Sequence, residues 1–190
     1  RHRIEHVQIL HPDDINRLAQ LGIIASVQPI HATSDMDIAD KYWGKRSAYA
    51  YAYHTLLQAG TAMAFGSDAP VESPNPFFGL HAAVTRRRTN GYPASEGWYA
   101  QQRLSLQEAL NGFTTGAAFA AGRENEIGQL TAGYFADLNI FDPAKFRDQA
   151  TFTHPGRLST GLDTVLVNGR PALRGGLFTE PAAGSILARY

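Results

Sequence analysis

From Arg1 to about Pro70, short apolar runs alternate with stretches of helical period. "HRIEHVQ" alternates polar and apolar positions and reads as a strand. "HPDDINRLAQLG" follows, with Pro12 and two aspartates in a first turn, Ile15, Leu18 and Leu21 on one face, and Gly22 as terminator, which predicts a helix. "IIASVQP" is a continuous apolar strand, "SAYAYAYHTLLQAG" a second helix ending at Gly60, and "TAMAFGSDAPV" a third strand closing on "GSD". Buried strands separated by helices predict a parallel sheet with right-handed crossovers, whose loops after the strand C-terminal ends gather on one side. His6 and Asp68 both fall on that side.

Between the second and third strands, "HATSDMDIADKYWGKR" has no clear period over its 16 residues and is expected to be an irregular lid or ligand loop. "NPFFGLHAAVTRRR" predicts a helix capped by Asn75 with Pro76 at its first position. "LSLQEALNGFTTGAAFAAG" predicts another, with Ser105 and Glu108 at capping-box spacing. After Gly122 the pattern turns to β: glycines 128 and 133 precede a strand in "ADLNIFD", and "DTVLVNGRPALRGGLF" is a hairpin around Asn168-Gly169. The expected organisation is an α/β region over 1–124 and a β module over 125–190. No repeat or low-complexity segment interrupts it.

Composition narrows the partners. With 190 residues and 44% apolar content the chain can bury a real core, and 17 basic residues balance 17 acidic ones, so no net field draws it to nucleic acid or an anionic membrane. There is no cysteine, which removes disulfides, thiolate nucleophiles and Cys-based zinc sites; a metal here must rest on His, Asp or Glu. Apolar runs such as "LGIIASV" are far shorter than a membrane span.

A catalytic metal bound by nitrogen and oxygen needs imidazoles and carboxylates converging from different strands, with one position open for water or substrate. His6 and Asp68 lie 62 positions apart, close to two βα units of roughly 30 residues, which puts them two strands apart on one rim. Each also has a purely structural reading: a hydrogen-bonded strand-end histidine, and an aspartate closing a turn. His54 and His81 fall inside helices and read as surface or packing residues, and Glu5 alternates away from His6 toward the helical layer.

The succession "RIEHVQ", "SVQPIH", "GSDAPVESPNPFFGLHAAVTRR", "LSLQEALNGFTTGAAFAAG", "IGQLTAGYFADLNIFD" and "VLVNG" resembles the C-terminal half of metal-dependent amidohydrolases, most of all the amidohydrolase family 3, or YtcJ-like, branch. The resemblance runs through nearly the whole chain. It implies the last three units of a (β/α)₈ TIM barrel followed by part of a small β-sandwich, with one or two divalent ions, usually zinc, in the barrel mouth. By that resemblance His6 is a metal ligand after the sixth strand, and Asp68 is both a metal ligand and the catalytic carboxylate after the eighth. His31, after the intervening strand, reads either as a substrate contact or as an ordinary loop histidine.

The family's first-strand His-x-His pair has no counterpart, since no HxH occurs in the 190 residues. The resemblance therefore implies a fragment of a longer C–N hydrolase, acting on amides, N-acyl or N-formyl compounds or cyclic amides, inactive by itself and expected in the cytoplasm. Open sheet edges and the apolar residues Leu138, Ile140, Val165 and Val167 imply either a missing N-terminal half as partner or self-association. A non-catalytic regulatory or interaction module on the same fold is the alternative. A phosphoester or sugar barrel enzyme fits less well, because "GSDAPVESP" sets carboxylates where a phosphate nest needs donors, and Asp68 and Glu72 share one loop rather than facing across a cleft.

Overall fold

The computed structural model describes residues 1–147, 149, 160–179 and 183–184 and divides into two compact units, Arg1–Glu124 and Asn125–Tyr190. In the first, β1 (Arg3–Glu5), β2 (Ile24–Val27) and β3 (Met63–Phe65) form a parallel sheet in that order, with Glu5 beside Ser26 and Val27 beside Phe65. β2 lies in the centre, and its Ile24, Ala25 and Val27 are fully buried, as the unbroken apolar run requires. β1 is an edge strand with all three residues exposed. Glu5 does not face the helical layer: it is exposed and meets Arg3 Nε at 2.7 Å.

The helices depart from the sequence pattern in three places. The first is broken into a 3₁₀ turn (Pro12–Asp14) and a single α turn, α1 (Arg17–Gln20); only Leu18 is buried, and Leu21 is 63% exposed. The stretch after β2 is not an irregular loop. It folds as α2 (Pro29–Ser34), α3 (Met36–Trp43) and a 3₁₀ segment (Gly44–Tyr49), because Ala32, Met36 and Ala39 find places in the core. The alternating "AYAYAY" is not helical throughout: Ala50 bridges Ile9, Tyr51 takes φ 49°, and helix α4 starts only at Tyr53 (Tyr53–Gln58).

The two caps form as expected. Asn75 accepts from the Phe77 N–H at the start of α5 (Pro76–Thr85), and Ser105 and Glu108 satisfy one another's backbone groups at the start of α6 (Leu106–Asn111), each cap contributing about 1 kcal/mol. α6 continues through a π segment (Gly112–Gly116) into α7 (Ala117–Ala120). That segment lies against β3 so tightly that a Cβ on Gly112 would stand 2.4 Å from the Phe65 ring, and one on Gly116 would stand 2.1 Å from the Met63 carbonyl oxygen. Glycine is required at both positions, and the wound segment props the strand that leads to Asp68.

The second unit holds an antiparallel sheet, β4 (Leu138–Phe141), β5 (Leu162–Val167), β6 (Arg170–Arg174) and β7 (Leu177–Phe178), in that order. Asn168 and Gly169, at φ 50° and 75°, make the tight turn that the Asn-Gly pair predicts. Leu138, Val165 and Val167 are half-buried, and Ile140 is 49% exposed. No helix among the described residues is long and apolar enough to cross a membrane.

Candidate active site

Three strand ends build one rim. His6 follows β1 directly, and its N–H donates to Ser26 O at 2.7 Å; Gln28 and Pro29 follow β2; Gly66 N donates to Val27 O at 3.1 Å, and Asp68 lies two residues on. His6 (φ 69°), Val7 (φ 43°) and Asp68 (φ 58°) all leave their strands in the left-handed region. For the β-branched Val7 that conformation costs about 1 kcal/mol or more; for His6 and Asp68 it costs less, since both residue types are enriched there. Backbone strain concentrated at a strand-end rim is a common mark of a functional site.

His6 and His31 are brought together. His31 lies in α2 with 8% exposure, its ring centroid 5.9 Å from that of His6. His6 Nδ1 stands 2.9 Å from Gln28 Oε1. With the amide oxygen as acceptor, the imidazole carries its proton on Nδ1 and keeps a lone pair on Nε2. His31 Nε2 is buried without a hydrogen-bond partner, a costly arrangement, about 1–3 kcal/mol, unless something else meets it. Asp68 lies on the same rim, three residues beyond the end of β3, the next strand but one from His6. It is exposed, and its carboxylate bonds to no described residue.

A set of supporting bonds holds this rim in place. Tyr53 OH donates to Gln28 O at 3.0 Å, and burial pushes the Tyr53 phenol well above its ordinary pKa. Arg86, fully buried with its guanidinium 5.7 Å from the Tyr53 ring and 4.9 Å from the Trp98 ring, donates to Tyr51 O and Trp98 O at 2.9 and 3.0 Å. Burial brings its pKa down to about 10, so it remains charged near neutrality. Arg88 Nε donates to Thr33 O at 2.8 Å at the end of α2, and Ser34 Oγ donates to Glu72 Oε1 at 2.6 Å, tying α2 to the loop after β3. None of Gln28, Tyr53, Arg86 and Arg88 stands out in the sequence; the one available signal for Gln28 is its place between a buried strand and a proline, which keeps it extended.

His54 sits in α4, and His81 in α5, which packs against α2; His81 Nε2, like His31 Nε2, is buried without a hydrogen-bond partner. Trp43 packs against the core with its ring 6.4 Å from Tyr51. Among the described residues, no group of three or more His, Asp or Glu is placed to hold a metal ion. The donors present, a histidine whose Nδ1 is engaged by Gln28, a second with a buried, unpartnered Nε2, and an exposed carboxylate that bonds to no described residue, fit part of a divalent-ion site.

The pattern of the amidohydrolase family matches residues 1–173, and the chain belongs to that family. It is 48% identical to the D-aminoacylase of Alcaligenes xylosoxydans xylosoxydans over 187 residues, covering 90% of this chain and 38% of that protein. It is 32% identical to the amidohydrolase-family protein YtcJ of Bacillus subtilis over 148 residues, covering 76% of this chain and 27% of that protein. Its backbone follows a zinc-bound adenosine deaminase from Xanthomonas campestris with a TM-score of 0.64 at 18% identity, covering 94% of this chain and 38% of that one. The chain thus spans between about a quarter and two-fifths of the length of these relatives. It also follows the backbone of a zinc-complexed mutant of the atrazine chlorohydrolase TrzN from Arthrobacter aurescens, with a TM-score of 0.60 at 19% identity, covering 94% of this chain and 37% of that one.

Proposed function

We propose that this chain carries the His6 and Asp68 portion of a divalent-metal site, zinc by preference, in an amidohydrolase that cleaves C–N bonds of amides, N-acyl or N-formyl compounds, or cyclic amides. The observation that carries the reading is the rim itself: an imidazole whose Nδ1 is engaged by Gln28, and a carboxylate without a partner among the described residues, follow the first and third strands of one parallel sheet on the same side. Residues 1–124 are the last three units of a (β/α)₈ barrel in this reading, and the four-stranded sheet is part of a β-sandwich.

His6 Nε2 and Asp68 would hold the ion. The chemistry such an ion supplies when bound is polarisation of the scissile carbonyl and activation of water. Asp68 takes the proton of the attacking water and returns it to the leaving nitrogen, a task suited to an exposed carboxylate with no competing partner. His31 contacts the substrate through Nε2, whose lack of any protein partner supports that role.

Two ligands hold an ion poorly compared with the three or four of a catalytic site, so the chain by itself is inactive and completes its site within a longer protein. The exposed edge of β1 and the exposed Ile140 are the surfaces that the remaining units, or a second copy, would cover. The alternative of a non-catalytic interaction module draws support from the lack of a three-ligand group among the described residues.

Assaying release of amine from N-acyl amino acids separates these readings. The complete protein is expected to turn over, to lose activity to a chelator and to regain it with zinc, while this chain alone does nothing. Turnover by the chain alone, or chelator-resistant turnover by the complete protein, would overturn the proposal; a complete protein inert toward every C–N substrate class would favour the module.

A further inference from the structure

Gln28 is 6% exposed and held at several points. Pro29 fixes it in an extended conformation (φ −121°, ψ 101°) at the end of β2, and its carbonyl accepts from both Tyr53 OH and the His31 N–H at 3.0 Å. Tyr53 is in turn fully buried beside the Arg86 guanidinium. The side chain therefore leaves an immobile anchor, and its Oε1 reaches His6 Nδ1 at 2.9 Å. The two histidines of the rim are thus both fastened to one residue, His6 through the amide side chain and His31 through the backbone.

We infer that Gln28 is the positioning residue of His6: it fixes the imidazole proton on Nδ1 and so keeps the Nε2 lone pair available for a ligand. A neutral imidazole has two tautomers, and only the one protonated on Nδ1 presents a donor lone pair on Nε2. An outer partner on the far ring nitrogen is the general device by which a ligating histidine is oriented and made more basic. Glutamine supplies that partner without adding charge to the rim. The inference deepens the reading of His6 as a ligand and rests on it for its purpose, but the tautomer is a property of the metal-free chain.

The ¹⁵N shifts of the His6 ring, recorded on the metal-free chain at a pH above which they no longer change, test it directly. The Nδ1–H form is expected in roughly ten-fold excess in the native chain, the size of preference that one well-formed, part-buried hydrogen bond supports. Gln28→Glu, similar in shape and able only to accept when ionised, is expected to keep the same tautomer, and Gln28→Leu to shift the balance toward Nε2–H with the backbone spectrum otherwise preserved. A native Nε2–H tautomer that switches to Nδ1–H in Gln28→Glu would mean that the amide donates to His6, and would overturn the inference even if Gln28→Leu failed to fold. Adding Zn²⁺ to the same sample separates the two claims: a zinc-insensitive His6 Nε2 signal counts against the metal site alone, whereas the tautomer counts for or against Gln28 alone.

Discussion

If the proposed role of Asp68 holds, Asp68→Asn in the complete protein is expected to lower turnover of an N-acyl amino acid by about 10²–10⁴-fold, the range that removal of a positioned acid–base group produces, and to change the stability of the chain by no more than about 0.5 kcal/mol. The two halves of this expectation have separate physical causes. Asparagine keeps the shape and tolerates φ 58° as aspartate does, and Asp68 is exposed with no described bond to lose, so the fold has little stake in its charge. The proposed chemistry depends on that charge entirely, since an amide neither accepts a proton from water nor holds a cation comparably. Turnover paired with denaturant unfolding measures both. A turn-closing role would show the reverse pattern, activity kept and stability reduced.

Gly116→Ala carries the largest expected effect on folding, a loss of about 3 kcal/mol, the upper part of the range for overpacking. The added methyl would stand 2.1 Å from the Met63 carbonyl oxygen and 3.2 Å from the Asn111 carbonyl oxygen. Both obstacles are backbone, so no side chain can swing aside; either β3 shifts or the π segment unwinds. Gly66→Ala is the matched control, since its methyl meets nothing within 4 Å and its backbone is not left-handed; it is expected to stay within about 0.5 kcal/mol. Thermal unfolding should separate the two by roughly 10 °C. Because β3 leads to Asp68, any Gly116 variant that does fold should also lose activity.

The parts of the fold that were legible in the sequence are those fixed by local chemistry. Continuous apolar runs mark β2 and β3, Asn75-Pro76 and Ser105/Glu108 mark helix starts, and Asn168-Gly169 marks a turn that needs two positive φ values. What was not legible is settled by partners distant in the chain. The stretch from His31 to Arg46 reads as irregular, yet it is helical because Met36 and Ala39 are drawn into the core. The repeating Ala-Tyr pattern looks like one helix, yet Tyr51 turns left-handed; its carbonyl is taken by Arg86, 35 residues away, and its hydroxyl donates to Asp35 at 2.5 Å.

The same division runs through the site. His6 and Asp68 could be placed on one rim from strand order and spacing alone, because parallel strands send their following loops to one side. The closeness of His31 to His6 could not, since it depends on α2 beginning immediately after β2 rather than on any loop. Gln28, Arg86 and Arg88 are hidden for a related reason: their significance lies in which carbonyl or ring nitrogen they reach, and single-sequence patterns carry no record of that.

A paramagnetic titration of the ¹⁵N-labelled chain with Co²⁺ bears most directly on whether His6 and Asp68 serve one ion, because it reads weak binding by a partial site. Broadening should spread outward from His6 and Asp68 in parallel as cobalt is added, and should fade at both in His6→Ala and in Asp68→Asn. Broadening that persists around His6 in Asp68→Asn, or that never reaches Asp68, would mean that the two residues do not share a cation.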